Sequence, residues 1–282
     1  MIKVLTSGIY SSVQDLGRKG YRKIGVPVSG AMDVFSAKLA NHLLHNEEEA
    51  AVIEITFGGC KLEFLSDTFI CITGADFSPR LNDVNIKLNS LQRVAKGMVL
   101  SFKKRKYGVR TYIGVSGGIQ TALFLNSRSF YKEITPDFIL KKGDILPLAI
   151  PKNNLQQSLA TVKVQETHFT SESILCFKGP EFNLLSQEQI TLLKETVFSI
   201  SSDNNRMGYR LNEGIPNKFD SMLTSGVLPG TVQLTPSGKL IVLMRDCQVT
   251  GGYPRILQLS ENAINILAQK TTGDRLRFKL YR

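Results

Sequence analysis

No apolar run in this sequence approaches the roughly 20 residues a helix needs to cross a bilayer. The opening residues, Met1 to Gly8, lack the long apolar core of a signal peptide. The expectation is a cytoplasmic protein with no membrane segment. Cysteine is sparse: Cys60, Cys71, Cys176 and Cys247 are scattered, with no C-x-x-C pair. Cys71 and Cys176 lie inside apolar runs and Cys247 follows one, which reads as buried thiols in a reducing compartment. Cys247 has no histidine near it in sequence, which argues against a nucleophilic role. Only three histidines occur, His42, His45 and His168. The first two flank a leucine-rich helical pattern with no third ligand nearby, so no metal site is expected. No Walker or Rossmann glycine motif is present; Gly114-x-x-Gly117-Gly118 fits neither. RNA-binding aromatic motifs are missing too.

What is present in excess is positive charge. The formal net charge is +11, but the basic residues are spread along the chain. The one dense cluster, Lys103 to Gly108, stands between two apolar runs and reads as a solvated hairpin tip. The charge suits an anionic small molecule or an acidic protein partner, and no nucleic-acid or membrane partner is expected. With 282 residues, 42% of them hydrophobic, the chain is long enough for one large domain or two ordinary ones.

Ser11 to Asp33 is the most unusual stretch. Gly17, Gly20, Gly25 and Gly30 are too frequent for a helix, where each costs about 1 kcal/mol relative to alanine. Too few apolar residues alternate for an ordinary strand, and Pro27 removes a backbone donor. Val13, Leu16, Tyr21, Ile24 and Val26 argue against disorder. The reading is a folded loop whose glycines let backbone approach a ligand; a connector with solvated charges is the alternative.

After a first strand at Lys3 to Ile9 and this loop, Phe35, Leu39, Ala40, Leu43 and Leu44 fall on one helical face. Ser29 or Asp33 caps that helix and Asn46 ends it. Val52 to Phe57 alternates as a strand. Its Glu54 points away from Ile53, Ile55 and Phe57, toward solvent or into a site. Short strands follow at Lys61–Leu65, Phe69–Thr73, Val84–Leu88, Met98–Phe102, Val109–Val115 and Asp144–Ala149. Closely spaced strands with few helices indicate an antiparallel barrel or sandwich.

The pattern-free stretch Pro151 to Ser158 reads as a linker, giving domains at 1–155 and 156–282. Further strands are expected at Thr161–Val164, Ile174–Phe177, Val197–Ile200, Thr231–Leu234, Leu240–Met244 and Arg275–Tyr281. Ser186 opens one helix through a capping box with Gln189, and Ser260 caps another.

The two halves echo each other. Gly74-Ala-Asp-Phe77 returns as Gly179-Pro-Glu-Phe182, Val115-Ser-Gly-Gly118 as Val249-Thr-Gly-Gly252, and Gly143-Asp144 as Gly273-Asp274. Three matches in one order suggest a duplicated domain. The first two echoes lie about 29 residues further apart in the second copy, so an insertion containing Ser201 to Arg210 is expected there.

Three clusters carry candidate chemistry: Gln14 to Asp33, Asn204 to Arg210, and Arg245 to Pro254. Arginine forks suit carboxylates and phosphates. Asp15, Asp33 and Asp246 are candidate acid or base groups, or partners that orient the arginines by internal salt bridging.

The string SSVQDLGRxGYRxxGVPxSGAMDxxSxxLAN, from Ser11 to Asn41, resembles the opening of one family. Its members are called the C-type subunit of 5-oxoprolinase, allophanate hydrolase subunit 2 or the carboxyltransferase domain of urea carboxylase. Ile72 to Phe77, Arg110 to Ile119, Asn205 to Leu211, Pro229 to Leu234 and Asp246 to Pro254 continue the likeness over nearly the whole chain. One departure is Leu125-Asn-Ser-Arg-Ser-Phe130, where the family has Leu-Gly-Ser-Arg-Ser-Thr; it leaves that loop's shape open.

The resemblance implies a mainly β fold of tandem cyclophilin-like β-barrel domains with a few short helices. It implies a subunit, inactive alone, of an ATP-dependent enzyme opening 5-oxo-L-proline to L-glutamate beside A-like and B-like subunits, with ATP as co-substrate of the assembled complex, bound by this chain or by another subunit. Asp15, Arg18, Asp33, Arg206 and Asp246 become the candidate catalytic residues. Gln14, Ser29, Tyr209, Arg210, Gln248 and Tyr253 become the candidate substrate-binding ones. The alternatives are biotin-dependent carboxyl transfer, with biotin arriving on another protein because no Met-Lys acceptor hairpin is present, and a non-enzymatic regulator binding a B-like subunit that resembles a kinase inhibitor.

Overall fold

The computed structural model describes residues 1–150, 160–220 and 222–281. The expected linker Pro151 to Ser158 lies outside them. The chain divides into two compact units. The first comprises Met1–Arg18 and Asp33–Gln165; the second comprises Lys19–Met32 and Glu166–Arg282. Part of the glycine-rich stretch therefore belongs to the unit built mostly from the C-terminal half.

The first unit contains β1 (Ile2–Ser7), β2 (Tyr10–Gln14), α1 (Val34–Leu43), β3 (Val52–Thr56), β4 (Cys60–Phe64), β5 (Thr68–Asp76), β6 (Arg80–Leu81), β7 (Val84–Asn85), β8 (Leu91–Val94), β9 (Val99–Ser101), β10 (Tyr107–Val115) and β11 (Ile145–Leu146). These form two sheets, ordered β11-β1-β4-β9-β6-β7 and β2-β3-β10-β5-β8. Ile2, Val4, Leu62 and Phe64 from one sheet share an apolar core with Val13, Ile53, Ile55, Ile72 and Ile113 from the other.

The opposite face of the second sheet is buried but polar. Ser12 pairs with Glu54, Glu54 with Tyr112, and Tyr112 with Thr73 in successive registers, and all four are fully buried. This explains why β2 does not show in its sequence: the face carrying Ser12 and Gln14 is buried without being apolar, so the usual alternation is missing. Glu54 likewise faces the interior rather than solvent.

The Asp33 side chain caps α1, accepting from the Ser36 amide at 3.1 Å and the Ser36 hydroxyl at 2.6 Å. Ser29 takes no part in that cap. The buried side of α1 is Ser36, Ala37, Ala40 and Asn41; of the expected face Ala40 and Leu44 are buried with Leu43 packed beside them, while Phe35 is exposed and small residues take its place. Close approach is the reason. A Cβ on Gly114 of β10 would come within 2.8 Å of Leu44 and 3.1 Å of Ala40, and Thr73 donates to the Ser36 carbonyl at 2.7 Å.

The second unit contains α2 (Thr167–Thr170), β12 (Ser173–Lys178), α3 (Gln187–Glu195), β13 (Phe198–Asn204), β14 (Gly208–Gly214), β15 (Ser225–Gly226), β16 (Thr231–Leu234), β17 (Lys239–Leu243), β18 (Thr250–Gly251), β19 (Arg255–Leu259), α4 (Glu261–Ala268) and β20 (Arg275–Leu280). Seven strands close a barrel in the order β12-β19-β16-β17-β14-β13-β20. Parallel pairing of β12 with β20 completes the circuit, and closure removes the exposed edges that an open sheet must protect. Phe198, Ile200, Leu211, Val232 and Val242 fill it, with Ile264 and Leu267 of α4 packed alongside. The Ser186 and Ser260 caps form as expected, the first as a full capping box.

Several local expectations change. Lys103 to Lys106 is no hairpin tip: β9 and β10 belong to different sheets, so this segment crosses between them. Val84–Leu88 shortens to Val84–Asn85, and Thr161 to Val164 forms no strand. Ser201 to Arg210 is the hairpin joining β13 to β14 within the barrel, not an inserted loop.

The internal echo is sharpest at Gly143-Asp144 and Gly273-Asp274. In each unit the glycine amide donates to a strand residue (Val4, Ile200) at 2.8 Å, and that residue's amide donates back to the aspartate carbonyl at 2.9 and 3.0 Å. Each aspartate carboxylate also accepts an amide three residues earlier, at 2.7 and 2.8 Å. Both glycines have positive φ, +99° and +83°, where a Cβ is disfavoured.

Candidate functional site

In the first unit the motif residues converge on one loop. Asp15 follows β2, and its carboxylate accepts four hydrogen bonds: from the Gly17 amide (2.7 Å), the Ser127 hydroxyl (2.7 Å), the Ser129 hydroxyl (2.6 Å) and the Arg128 amide (2.6 Å). Asp15 is therefore the clasp between the segment 14–18 and the segment 127–131. The clasp forms here with the departure from the family pattern in place. Asn126 occupies left-handed backbone, φ +59°, a conformation asparagine tolerates better than most residues, and Ser127 and Ser129 still reach Asp15.

Arg18 is fully buried, donates to the Ser129 carbonyl, and lies 5.9 Å from the centre of the Tyr131 ring. Gln14 is fully buried as well. Its amide nitrogen donates to Ser12 Oγ at 3.0 Å and to the Phe130 carbonyl at 3.2 Å. Its Oε1 is buried with no hydrogen-bond partner, an arrangement that costs roughly 1–3 kcal/mol unless a ligand or water completes it.

Sequence reasoning leaves Glu54 undecided and misses Tyr112. The Tyr112 hydroxyl donates to Glu54 Oε2 at 2.8 Å and accepts from the Asp33 amide at 2.8 Å. Arg110 Nε is 3.9 Å from Glu54. Burial pushes the Tyr112 phenol well above its ordinary range, and the Glu54 and Asp33 carboxylates push it further, so it stays a donor. The signal that could find this row is the period-two placement of polar residues on adjacent strands.

In the second unit, Arg206 in the β13–β14 turn forks onto Asp246, Nε to Oδ2 at 2.7 Å and Nη2 to Oδ1 at 2.9 Å. The same Nη2 donates to the Gly30 carbonyl at 2.6 Å, and Ser29 Oγ donates to Asp246 Oδ1 at 2.6 Å. Ser29 holds left-handed backbone, φ +59°. Arg22 adds bonds to the Val227 and Val249 carbonyls, and Arg245 Nε reaches the Met32 carbonyl at 3.4 Å. Segment 19–32 is thus fastened to the barrel by buried charged groups.

Arg210, Gln248 and Tyr253 line a cavity of about 270 Å³ with Asp203, Asn205 and Met207, and Arg210 pairs with Asp203 at 2.9 Å. Tyr209 does not join them. It is fully buried in the barrel core, because alternation along β14 sends it inward where Arg210 goes outward. Asp33 caps a helix in the first unit, Ser29 and Asp246 are fastenings, and Tyr209 is core.

All four thiols are buried, and burial pushes Cys60, Cys71, Cys176 and Cys247 up to about 12. Ellman's reagent at pH 8 is expected to titrate none of them in the native protein and four after denaturation; one fast-reacting native thiol would contradict this. Because folding raises these values, the thiols contribute stability that is complete below about pH 8.5, the ordinary cysteine value, and that declines as pH rises toward 12. Among the described residues no group of three or more His, Cys, Asp or Glu side chains is placed to hold a metal ion, and no helix is long and apolar enough to cross a membrane.

Residues 24–280 match the family model described as carboxyltransferase domain, subdomain A and B. The chain belongs to that family. It is 33% identical to the C-type subunit of 5-oxoprolinase from Escherichia coli, over 99% of this chain and 90% of that protein. The Haemophilus influenzae protein of the same name is 30% identical over 99% of this chain and 91% of its own length. Among solved structures, the Kluyveromyces lactis urea carboxylase superposes with a TM-score of 0.85 at 28% identity. That match covers 98% of this chain but 27% of the urea carboxylase chain. Family membership agrees with the mainly β architecture and the closed seven-stranded barrel.

Proposed function

We propose that this chain is a subunit of an ATP-dependent 5-oxoprolinase that converts 5-oxo-L-proline to L-glutamate together with A-type and B-type subunits in the cytoplasm, and that it is inactive alone. The observation that carries the reading is the likeness to two C-type subunits of 5-oxoprolinase over 99% of this chain and at least 90% of theirs. The reaction breaks the lactam C–N bond and adds water across it, and ATP supplies the activation of the ring carbonyl.

Gln14 Oε1, buried and without a partner, accepts the lactam N–H. Arg18 lies four residues further on and contributes positive charge where the carbonyl oxygen becomes negative. Asp15 positions both by clasping their loop. In the second unit Arg210, Gln248 and Tyr253 line a cavity whose arginine suits an anion, and Arg206 and Asp246 hold segment 19–32 in place. Asp33 supports the first unit by capping α1. The test is glutamate formation by the assembled enzyme with this chain present and omitted.

A second reading, biotin-dependent carboxyl transfer, is favoured by 39% identity to the urea amidolyase of Lachancea kluyveri. That likeness covers 53% of this chain, and here biotin would arrive on another protein.

A further inference from the structure

Another concave surface, in the first unit, is lined by none of the residues given roles in the proposed reaction. It is a cleft of about 570 Å³ framed by the β6–β7 hairpin, the segment leading into β8, and the Lys103–Lys106 crossover. Arg80, Lys87, Lys103, Lys104 and Lys106 line it, with Asp76 as its one carboxylate. Asp76 is already engaged: it accepts from the Ser78 amide at 2.6 Å and pairs with Lys106 at 3.1 Å. Arg80 Nε donates to a neutral group, Asn85 Oδ1, at 2.8 Å, so its charge is uncompensated. Among the described residues, no carboxylate pairs with Lys87, Lys103 or Lys104.

The backbone that carries three of these cations is held in place. The Lys103 and Lys106 amides donate to the Phe77 and Asp76 carbonyls, both at 2.7 Å, and Ser78 Oγ donates to the Lys104 carbonyl at 3.0 Å. A solvated lysine tip could spread its charges apart; a pinned backbone keeps like charges close, and an anion relieves their repulsion. Two neutral groups add direction. Asn89 lines the cleft with Oδ1 buried and unpartnered, and Tyr107 contributes a partly exposed ring, 37% accessible. Lysines suit phosphates as point charges, an unpaired amide oxygen suits an exocyclic amine, and a phenol ring suits a flat base.

We propose that this cleft binds a nucleotide, with the lysines on its polyphosphate and with Asn89 and Tyr107 toward its base. The proposal stands independently of the oxoprolinase reading. Calorimetric titration of the intact chain with inorganic triphosphate, with MgATP and with a polyglutamate peptide tests it. Both phosphates are expected to bind, MgATP more tightly. Lys103→Ala/Lys104→Ala, exposed positions that leave folding intact, should weaken both by about tenfold or more, the scale of losing one charge-assisted hydrogen bond. Asn89→Gly, which keeps the left-handed backbone (φ +52°), should weaken MgATP and leave triphosphate unchanged. Equal affinity for both phosphates with no effect of Asn89→Gly would retain the polyphosphate site and overturn the nucleotide assignment. No binding of either phosphate, binding unaffected by the lysine substitutions, or binding of polyglutamate alone would overturn the proposal.

Discussion

Arg206→Ala is expected to destabilise the second unit by about 3–5 kcal/mol, the usual consequence of removing one partner from a buried ion pair. Asp246 would keep the Ser29 hydroxyl but lose both arms of the guanidinium fork, and the Gly30 carbonyl would lose its donor. Arg206→Lys preserves the charge but cannot supply two parallel donors at fixed spacing, so its loss should be intermediate. The double variant Arg206→Ala/Asp246→Ala should cost less than the two single losses added together, because it strands no charge. Urea denaturation gives these values. Limited trypsin digestion adds a local readout: with its fastening gone, segment 19–32 should be cut sooner at Lys19 and Arg22. A loss under about 1 kcal/mol, the range of exposed pairs, would show that the pair does not fasten the segment.

Asp15→Ala is the second large effect. It leaves the Gly17 amide, the Arg128 amide and the Ser127 and Ser129 hydroxyls without their acceptor. Each buried orphan donor costs about 1–3 kcal/mol, partly recovered where water enters, so a net loss of about 4 kcal/mol is expected. Asp15→Asn tests the same clasp more gently, since its NH2 group would face one of those donors. Activity of the assembled enzyme should fall in both variants. In Asp15→Asn the fall should appear as raised KM with a smaller change in kcat if Asp15 positions Gln14 and Arg18, whereas an acid or base role predicts loss of kcat with an altered pH profile. Full stability together with abolished kcat would contradict the clasp assignment.

The legible parts of this molecule are those where burial and apolarity coincide. β3, β5, β10, β16 and β17 carry enough apolar residues to declare themselves. The caps at Asp33, Ser186 and Ser260 follow from short-range side-chain chemistry that local sequence encodes directly. The Gly-Asp turns are visible because the same bonds recur in both units with the same two residues.

The illegible parts are those where the interior is polar. β2 hides because Ser12 and Gln14 occupy a buried face. Most of the inward side of α1 is serine, alanine and asparagine, so Phe35 at its start points the periodicity in the wrong direction. The role of Asp15 depends on residues more than a hundred positions away, which no local pattern reveals. Tyr209 and Arg210 are neighbours in one motif string yet have opposite environments; only the register of β14 in the barrel separates the core residue from the cavity residue. The lysine crossover resembles a hairpin tip because sequence does not record that β9 and β10 join different sheets.

The most direct test of the central claim is glutamate production from 5-oxo-L-proline and ATP by this chain co-expressed with the A-type and B-type subunits of its own source, each omitted in turn. Turnover with all three, lost when this chain is left out, is the predicted result, with Gln14→Leu lowering it in an intact complex. Turnover that persists without this chain, or none at all from a stable three-part complex, would contradict it.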